Sequence, residues 1–263
     1  DAEYIITQTL GWSKSTFLLR LHDTLNESQC AQIRDHHERR CQHEPLAYIF
    51  QHTWFRGSRY HIEPGVLIPR PETEHLLDTF ENDCSEDGIL PDYILECGFG
   101  SGILAIEAAK LFPAARIEAW DINPIAYQVA AINQQNHPIS PVYWHCDDFF
   151  SVDRDWLASI CNSHSVCLLS NPPYISASDY ANLDPQIRRY EPETALVADH
   201  DGLTYYRHLL ELFHSLPIRL FLEVGIGQKE SIETLCRQYG DPKVRWTYDL
   251  ARIPRVIRIH YSG

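Results

Sequence analysis

Short apolar runs alternate with helical patterns from about residue 93 to the end of the chain. Periodicity predicts five strands at residues 93–97, 117–121, 142–146, 166–170 and 220–224. Helices are predicted between them at residues 103–111, 124–133, 203–216 and 228–239. This alternation is typical of an α/β fold with a mostly parallel sheet. Two further runs, near 245–250 and 255–260, leave no room for a helix between them, so we expect a terminal antiparallel hairpin.

The first part of the chain has a different pattern, which is helical throughout. Asn26 followed by Gln29 has the form of a capping box, and a repeat at helical spacing through residues 30, 33, 37 and 41 then runs until Pro45. Gly11 is placed to end a preceding helix. We therefore predict a small helical domain over residues 1–45.

A third pattern joins these two regions. Residues 47–62 are rich in aromatic and β-branched side chains around a turn candidate at 56–58, which predicts a β-hairpin. The next segment, 64–74, reads PGVLIPRPETE and has too many prolines for a helix before Pro71. We predict a hairpin linker over residues 46–68 and a larger α/β domain over residues 69–263.

Composition and charge exclude several classes of function. The 263 residues carry 22 basic and 36 acidic side chains, a formal net charge of −14, which disfavours direct binding to nucleic acid. No run approaches the roughly 18 apolar residues of a membrane span, and no signal peptide pattern occurs, so we expect a cytoplasmic protein. The eight cysteines are scattered and no metal-ligand spacing occurs, so we expect reduced thiols and no metal.

A glycine-rich loop follows the first predicted strand of the α/β region. Residues 96–102 read ECGFGSG, which is Gly-x-Gly-x-Gly rather than the Gly-x-Gly-x-x-Gly of dinucleotide-binding proteins, and this favours S-adenosylmethionine over NAD. Asp121 ends the second strand, where a carboxylate can accept the hydroxyls of a ribose. After the third strand, Asp148 and Phe149 offer a carboxylate and a flat apolar face to an adenine ring.

The most specific motif, Asn171-Pro172-Pro173-Tyr174, follows the fourth strand. A planar amino or amide nitrogen is a poor nucleophile because its lone pair is delocalised. The Asn171 side-chain oxygen and the Pro172 carbonyl can each accept one N–H, which aims the lone pair at a methyl group and stabilises the developing charge. Two successive prolines hold the loop in shape, and Tyr174 can pack on the planar group.

These segments, in this order, resemble class I Rossmann-like methyltransferases. EPLAYI at 44–49, PGVLIPRPETE at 64–74 and YEP at 190–192 narrow the resemblance, over nearly the whole chain, to the HemK/PrmC family of protein-(glutamine-N5) methyltransferases. The resemblance implies methyl transfer from S-adenosylmethionine to the Gly-Gly-Gln glutamine of class 1 peptide chain release factors, which the helical domain would dock. It also implies a further helix before residue 1.

The resemblance assigns roles to two sets of residues. The cofactor set is Gly98, Phe99, Gly100, Ser101, Gly102, Asp121, Asp148, Phe149 and Asn171. The catalytic and substrate-binding set is Asn171, Pro172, Pro173 and Tyr174, with Arg70 and the carboxylates of 72–74 at the border of the pocket. Two residues depart from the family pattern, Glu96 in place of Asp and Phe99 in place of a small residue, and we expect them to alter cofactor affinity.

Two other functions use the same residues. An adenine-N6 methyltransferase acting on DNA or RNA would need the same Asn-Pro-Pro-Tyr motif, because adenine also offers a planar amino group. Its usual basic groove is not evident in a chain of net charge −14. A non-catalytic nucleotide-binding module is a third possibility, which the intact motif at 171–174 argues against.

Overall fold

Nine strands form two sheets in the computed structural model, which describes residues 1–262. The strands are β1 His52–Phe55, β2 Ser58–His61, β3 Tyr93–Cys97, β4 Arg116–Trp120, β5 Val142–His145, β6 Val166–Ser170, β7 Ile218–Glu223, β8 Lys243–Tyr248 and β9 Pro254–Tyr261. The larger sheet has the order β5-β4-β3-β6-β7-β9-β8. Its first five strands are parallel, and β9 is antiparallel to both β7 and β8. The predicted mostly parallel sheet with a terminal antiparallel hairpin is confirmed.

Helices α5 to α8, α11 and α12 cover the two faces of this sheet. The helices of the chain are α1 Ala2–Leu10, α2 Lys14–Leu19, α3 Glu27–Cys41, α4 Leu46–Ile49, α5 Glu74–Asp87, α6 Ile103–Leu111, α7 Pro124–Gln135, α8 Arg154–Ser163, α9 Ala177–Tyr180, α10 Pro185–Tyr190, α11 Thr204–Phe213 and α12 Lys229–Gln238. Within residues 1–262, no helix is both long and apolar enough to cross a membrane. Successive strand residues point to opposite faces, so Ile94 belongs to the buried cluster under α5, α6 and α7, and Leu95 to that under α8, α11 and α12.

The N-terminal helices form a small and largely polar unit. Asn26 and Gln29 make both hydrogen bonds of the predicted capping box, at 2.9 and 3.0 Å, and Gly11 ends α1 with φ 65°. Helix α3 buries none of its residues, and α1 buries only Ile5 and Thr7. The unit therefore draws little stability from an apolar core of its own.

The β1–β2 hairpin packs on the larger sheet domain. The Tyr60 hydroxyl donates to Glu107 of α6, and the His61 backbone N–H donates to Asn133 of α7 at 2.7 Å. Phe55 and Tyr60 belong to the same buried cluster as Ile94. The hairpin is shorter than the pattern predicted, because α4 occupies its expected start, where the buried Tyr48 hydroxyl donates to the Val66 carbonyl at 2.7 Å. The predicted division at residue 68 stays a prediction.

Candidate active site

A cavity of about 370 Å³ opens at the carboxyl ends of the parallel strands. That edge is where ligands bind in open α/β sheets, and the volume falls within the usual range for small-molecule sites. Of the predicted site residues, the cavity is lined by Gly98, Gly100, Asp121, Asp148, Phe149, Asn171 and Pro173. Val66 and Pro192, from the motifs at 64–74 and 190–192, also line it. Further lining residues that the sequence did not single out include Trp120, Ile122, Asp199, Tyr205 and His208.

Two of the three loop glycines face this cavity. Gly98 and Gly100 have positive φ angles of 77° and 52°, and a Cβ built on Gly98 would meet no atom within 4 Å. Gly102 has another reason to lack a side chain, because its Cβ would lie 2.8 Å from both Ala130 and Trp144. The loop thus combines bare backbone at the cavity with close helix packing behind it.

Asp121 joins the glycine loop to the start of the next helix. One carboxylate oxygen accepts the Gly100 N–H at 2.8 Å, and the other accepts the Asn123 N–H at 2.9 Å. Burial raises the pKa of Asp121, and these two backbone N–H groups oppose the rise. Each carboxylate oxygen has more than one acceptor site, so the group can still accept a ribose hydroxyl.

The expected adenine region lies beyond β5. Asp148 caps the short 3-10 helix at Phe149–Ser151 by accepting the Phe150 N–H at 3.0 Å. Phe149 is 3% exposed and packs edge-on against Trp120, with ring centroids 5.3 Å apart. Most of the Phe149 ring is therefore packed in the core, although the residue also lines the cavity.

The charge of the cavity lining fits a cationic ligand. The lining contains the carboxylates of Asp121, Asp147, Asp148 and Asp199, and none of the described residues that line it is Lys or Arg. Such a lining repels the diphosphate of a dinucleotide and attracts a cation. S-adenosylmethionine supplies a methyl group on a cationic sulfonium, so the donor set and the bare glycine backbone fit it.

Several predicted site residues do not line the cavity. Phe99 is 3% exposed and packs against Trp144, with ring centroids 4.9 Å apart, so its bulk is directed into the core. The Ser101 carbonyl accepts a hydrogen bond from Asn133 at 2.9 Å, and Gly102 contacts Ala130 as described. The other two predicted site residues outside the lining are Pro172 and Tyr174.

The Asn171 to Tyr174 loop follows β6 and is held by hydrogen bonds to Thr73 and Glu223. Asn171 lines the cavity and donates through Nδ2 to the Thr73 hydroxyl at 3.3 Å. Tyr174 donates its hydroxyl to Glu223 at 3.4 Å, and burial raises its pKa. Ser170, at the end of β6, donates to the Cys97 carbonyl at 2.7 Å and ties the loop to the glycine loop.

Glu223 is a buried carboxylate beside this loop that the sequence motifs did not predict. It ends β7, is 2% exposed, and accepts the Thr73 hydroxyl at 2.7 Å. Burial raises its pKa to about 7, against the opposing effect of the Thr73 and Tyr174 hydrogen bonds. The available signal was a lone carboxylate in the apolar run IRLFLEVG, since an ionisable residue is rarely buried in a strand without a partner.

The Pro64 to Glu74 segment supports the cavity from one side. Arg70 pairs at 2.6 Å with Glu191, whose side chain is fully buried and also accepts the Ile68 N–H at 3.2 Å. This pair fixes the wall formed by Val66 and Pro192. The Glu72 and Glu74 carboxylates point elsewhere, to Arg255 at 3.8 Å and to the Arg56 N–H at 2.9 Å, so they lie outside the lining.

Two family models match parts of the chain. Residues 1–50 match the PrmC N-terminal domain, and residues 73–150 match the ribosomal protein L11 methyltransferase (PrmA). The second match covers the glycine loop and Asp121 but ends before the Asn171 loop.

Two curated relatives match nearly the whole chain. The release factor glutamine methyltransferase of Burkholderia pseudomallei is 33% identical over 97% of this chain and 89% of its own. That of Thermodesulfovibrio yellowstonii is 30% identical over 100% of this chain and 92% of its own. Among solved structures, the hMettl16 catalytic domain in complex with MAT2A 3′UTR hairpin 6 has a TM-score of 0.58 at 13% identity, covers 78% of this chain and 76% of its own, and shows a shared fold. From the two relatives, this chain belongs to the release factor glutamine methyltransferase family and is an S-adenosylmethionine-dependent methyltransferase.

Proposed function

We propose that the protein methylates the side-chain amide nitrogen of the Gly-Gly-Gln glutamine in class 1 peptide chain release factors. The observation that carries this proposal is that Asn171 lines the same acidic cavity as the Gly98 and Asp121 positions. An acceptor for planar N–H groups and a site for a cationic methyl donor therefore share one space. Family membership favours glutamine as the planar nitrogen.

The residues of the loop act by orientation. The Asn171 Oδ1 and the Pro172 carbonyl each accept one N–H of the amide, which turns the nitrogen lone pair toward the methyl group. The same two acceptors stabilise the positive charge that develops on nitrogen during in-line displacement. No strong base is needed, because the amide nitrogen becomes acidic only once the methyl group is transferred and its proton can then leave to water.

The helical unit at residues 1–45 is proposed to dock the release factor. Helix α2 and the turn after it expose the apolar side chains of Leu18, Leu19 and Leu21, each by more than half. The net charge of −14 favours a basic partner surface, so binding should weaken as salt is added. Since its substrate serves translation termination, we place the activity in the cytoplasm.

A methylation assay with two acceptors tests the function. The protein is incubated with S-adenosylmethionine and either a purified class 1 release factor or an adenine-containing oligonucleotide, and the products are mapped by mass spectrometry. We expect one methyl group on the Gly-Gly-Gln glutamine, lost in Asn171→Ala while cofactor binding persists. A methylated oligonucleotide with an unmodified release factor would instead establish that the protein is an adenine-N6 methyltransferase. Cofactor binding without turnover on either acceptor would indicate a non-catalytic module.

A further inference from the structure

A line of hydrogen bonds runs from a buried carboxylate to the rim of the active site. Glu223 accepts the Thr73 hydroxyl at 2.7 Å, and the Thr73 oxygen accepts the Asn171 Nδ2 at 3.3 Å. The second Glu223 oxygen accepts the Tyr174 hydroxyl at 3.4 Å. Glu223 thus supports both ends of the Asn171 to Tyr174 loop, although it does not line the cavity itself.

The direction of these hydrogen bonds decides whether Asn171 offers its amide oxygen or its NH₂ group to the substrate. A threonine hydroxyl has one proton, and the Thr73 proton is committed to the Glu223 carboxylate. The Thr73 oxygen can then only accept, so it selects the NH₂ group of Asn171 and leaves Oδ1 available to a ligand in the cavity that Asn171 lines. If Glu223 were protonated, the Thr73 proton could turn to Asn171, and the reversed amide would present a donor where the substrate also brings donors.

We propose that Glu223 is a positioning residue, which acts through Thr73 to fix the Asn171 amide in the orientation that accepts the substrate N–H. This inference rests on the proposed use of Asn171 as the acceptor of a planar nitrogen. The hydrogen bond from Tyr174 to Glu223 stabilises the other end of the same loop. This relay of hydrogen bonds, from Glu223 through Thr73 to Asn171, requires the carboxylate form of Glu223, because only that form compels Thr73 to donate toward it.

The surroundings of Glu223 set the pH at which the relay forms. Besides Thr73 and Tyr174, the groups that face it are Glu72 from the 71–73 turn, Arg255 from β9 and Tyr206 from α11. Burial and Glu72 raise the pKa, while the hydroxyls and Arg255 lower it, with a result of about 7. Activity should therefore rise with pH through about 7, since the ionised form is the competent one.

Threonine substitutions test the middle of the relay. Thr73→Val removes the hydroxyl at nearly constant volume, and we expect kcat for the release factor to fall about tenfold or more with cofactor Kd unchanged. Thr73→Ser should restore kcat, which a merely structural role for the methyl group would not predict. Thr79→Val is the matched control, because Thr79 lies on the adjoining helix α5, donates to the His75 backbone carbonyl at 2.6 Å and does not line the cavity. Wild-type kcat in Thr73→Val would overturn the relay.

Glu223→Gln tests the carboxylate end of the relay through the pH profile of kcat. The wild-type kcat at saturating substrates should fall below pH 7 and level off about tenfold lower, as in Thr73→Val, whereas that of Glu223→Gln should already be low at pH 8 and flat through this range. A Glu223→Gln profile with the wild-type inflection would overturn the proposal.

A measurement without turnover separates this inference from the proposed function. The carboxyl carbon of Glu223, followed by ¹³C NMR and assigned with Glu223→Gln, should titrate near pH 7 in the wild type. It should titrate at higher pH in Thr73→Val, because a hydrogen bond that stabilises the carboxylate is lost. An unchanged titration contradicts the relay even if the release factor is methylated. A release factor left unmethylated, with the titration shifted as expected, contradicts only the proposed function.

Discussion

Strand β7 carries a buried charge near each of its ends, and the two charges have different partners. Near the amino end, Arg219 meets Asp83 at 3.3 Å, and Arg258 of β9 also contacts Asp83 and lies 2.9 Å from Asp87. At the carboxyl end, Glu223 is held by the hydroxyls of Thr73 and Tyr174. Both charges are almost fully buried.

The difference follows from where the active site lies. At the amino end, burial raises the pKa of Asp83, and the two guanidinium groups oppose the rise, so the charges are matched by opposite charges. At the carboxyl end, neutral hydroxyls leave Glu223 near its midpoint at neutral pH, since Arg255 is itself paired with Asp249 at 2.8 Å. The charges at the amino end of β7 are therefore compensated, whereas ionisation of Glu223, beside the candidate active site, remains unfavourable. Such a cost in stability is common near sites that serve activity.

The largest effect is expected from breaking the paired end. Asp83→Asn leaves Arg219 without an anionic partner in an almost fully buried place, and we expect the free energy of unfolding to fall by about 3 kcal/mol or more. Urea denaturation measures it. The cofactor Kd of the folded fraction should not change, because Asp83 lies outside the cavity lining. A loss below about 1 kcal/mol would mean that Asp87 compensates both arginines.

Replacing Glu223, at the carboxyl end of β7, by a neutral residue should stabilise the protein. The pKa of Glu223 is raised from 4.5 to about 7, so its effect on stability is favourable below 4.5 and is lost as pH rises through 7. Glu223→Gln should therefore gain about 2 kcal/mol more over the wild type at pH 8 than at pH 5, as measured by urea denaturation at both values. A gain that is equal at the two pH values would show that Glu223 does not titrate between them.

Asp121 tests whether a second carboxylate at this edge serves the ligand. Asp121→Ala removes the proposed ribose acceptor and the acceptor of the Gly100 N–H, and we expect the Kd for S-adenosylmethionine to rise about tenfold to thirtyfold. Calorimetric titration measures it, with Asp121→Asn as the variant that keeps one acceptor oxygen. If the Kd of both variants stays within about twofold of wild type, the ribose assignment is wrong.

The smallest effect is expected on the surface beside the paired end. Glu86 lies on α5, as Asp83 does, and meets Arg245 at 3.5 Å, but both side chains are exposed. Glu86→Gln should change the free energy of unfolding by less than about 0.5 kcal/mol, because solvent and salt screen the pair. A loss as large as that of Asp83→Asn would show that burial does not explain the contrast between them.

Much of the fold could be read from periodicity, but one segment could not. The strands Tyr93–Cys97 and Val166–Ser170 have the predicted bounds, because a buried parallel strand gives a continuous apolar run between turn signals. Residues 46–49 were predicted as part of a hairpin and form α4 instead. The buried Tyr48, anchored to the Val66 carbonyl, decides this segment by tertiary packing, which local propensity does not record.

The active site divides in the same way between sequence and structure. The sequence by itself predicted the chemistry of the site, because Gly98, Asp121 and Asn171 follow the first, second and fourth parallel strands of the α/β region, whose carboxyl ends lie at one edge of the sheet. Only the tertiary structure decided that Phe99 packs into the core and that Glu223 stands behind Thr73 and Asn171. The physical reason is distance along the chain: a relay between residues 73, 171 and 223 depends on side-chain direction and burial, which no local pattern contains.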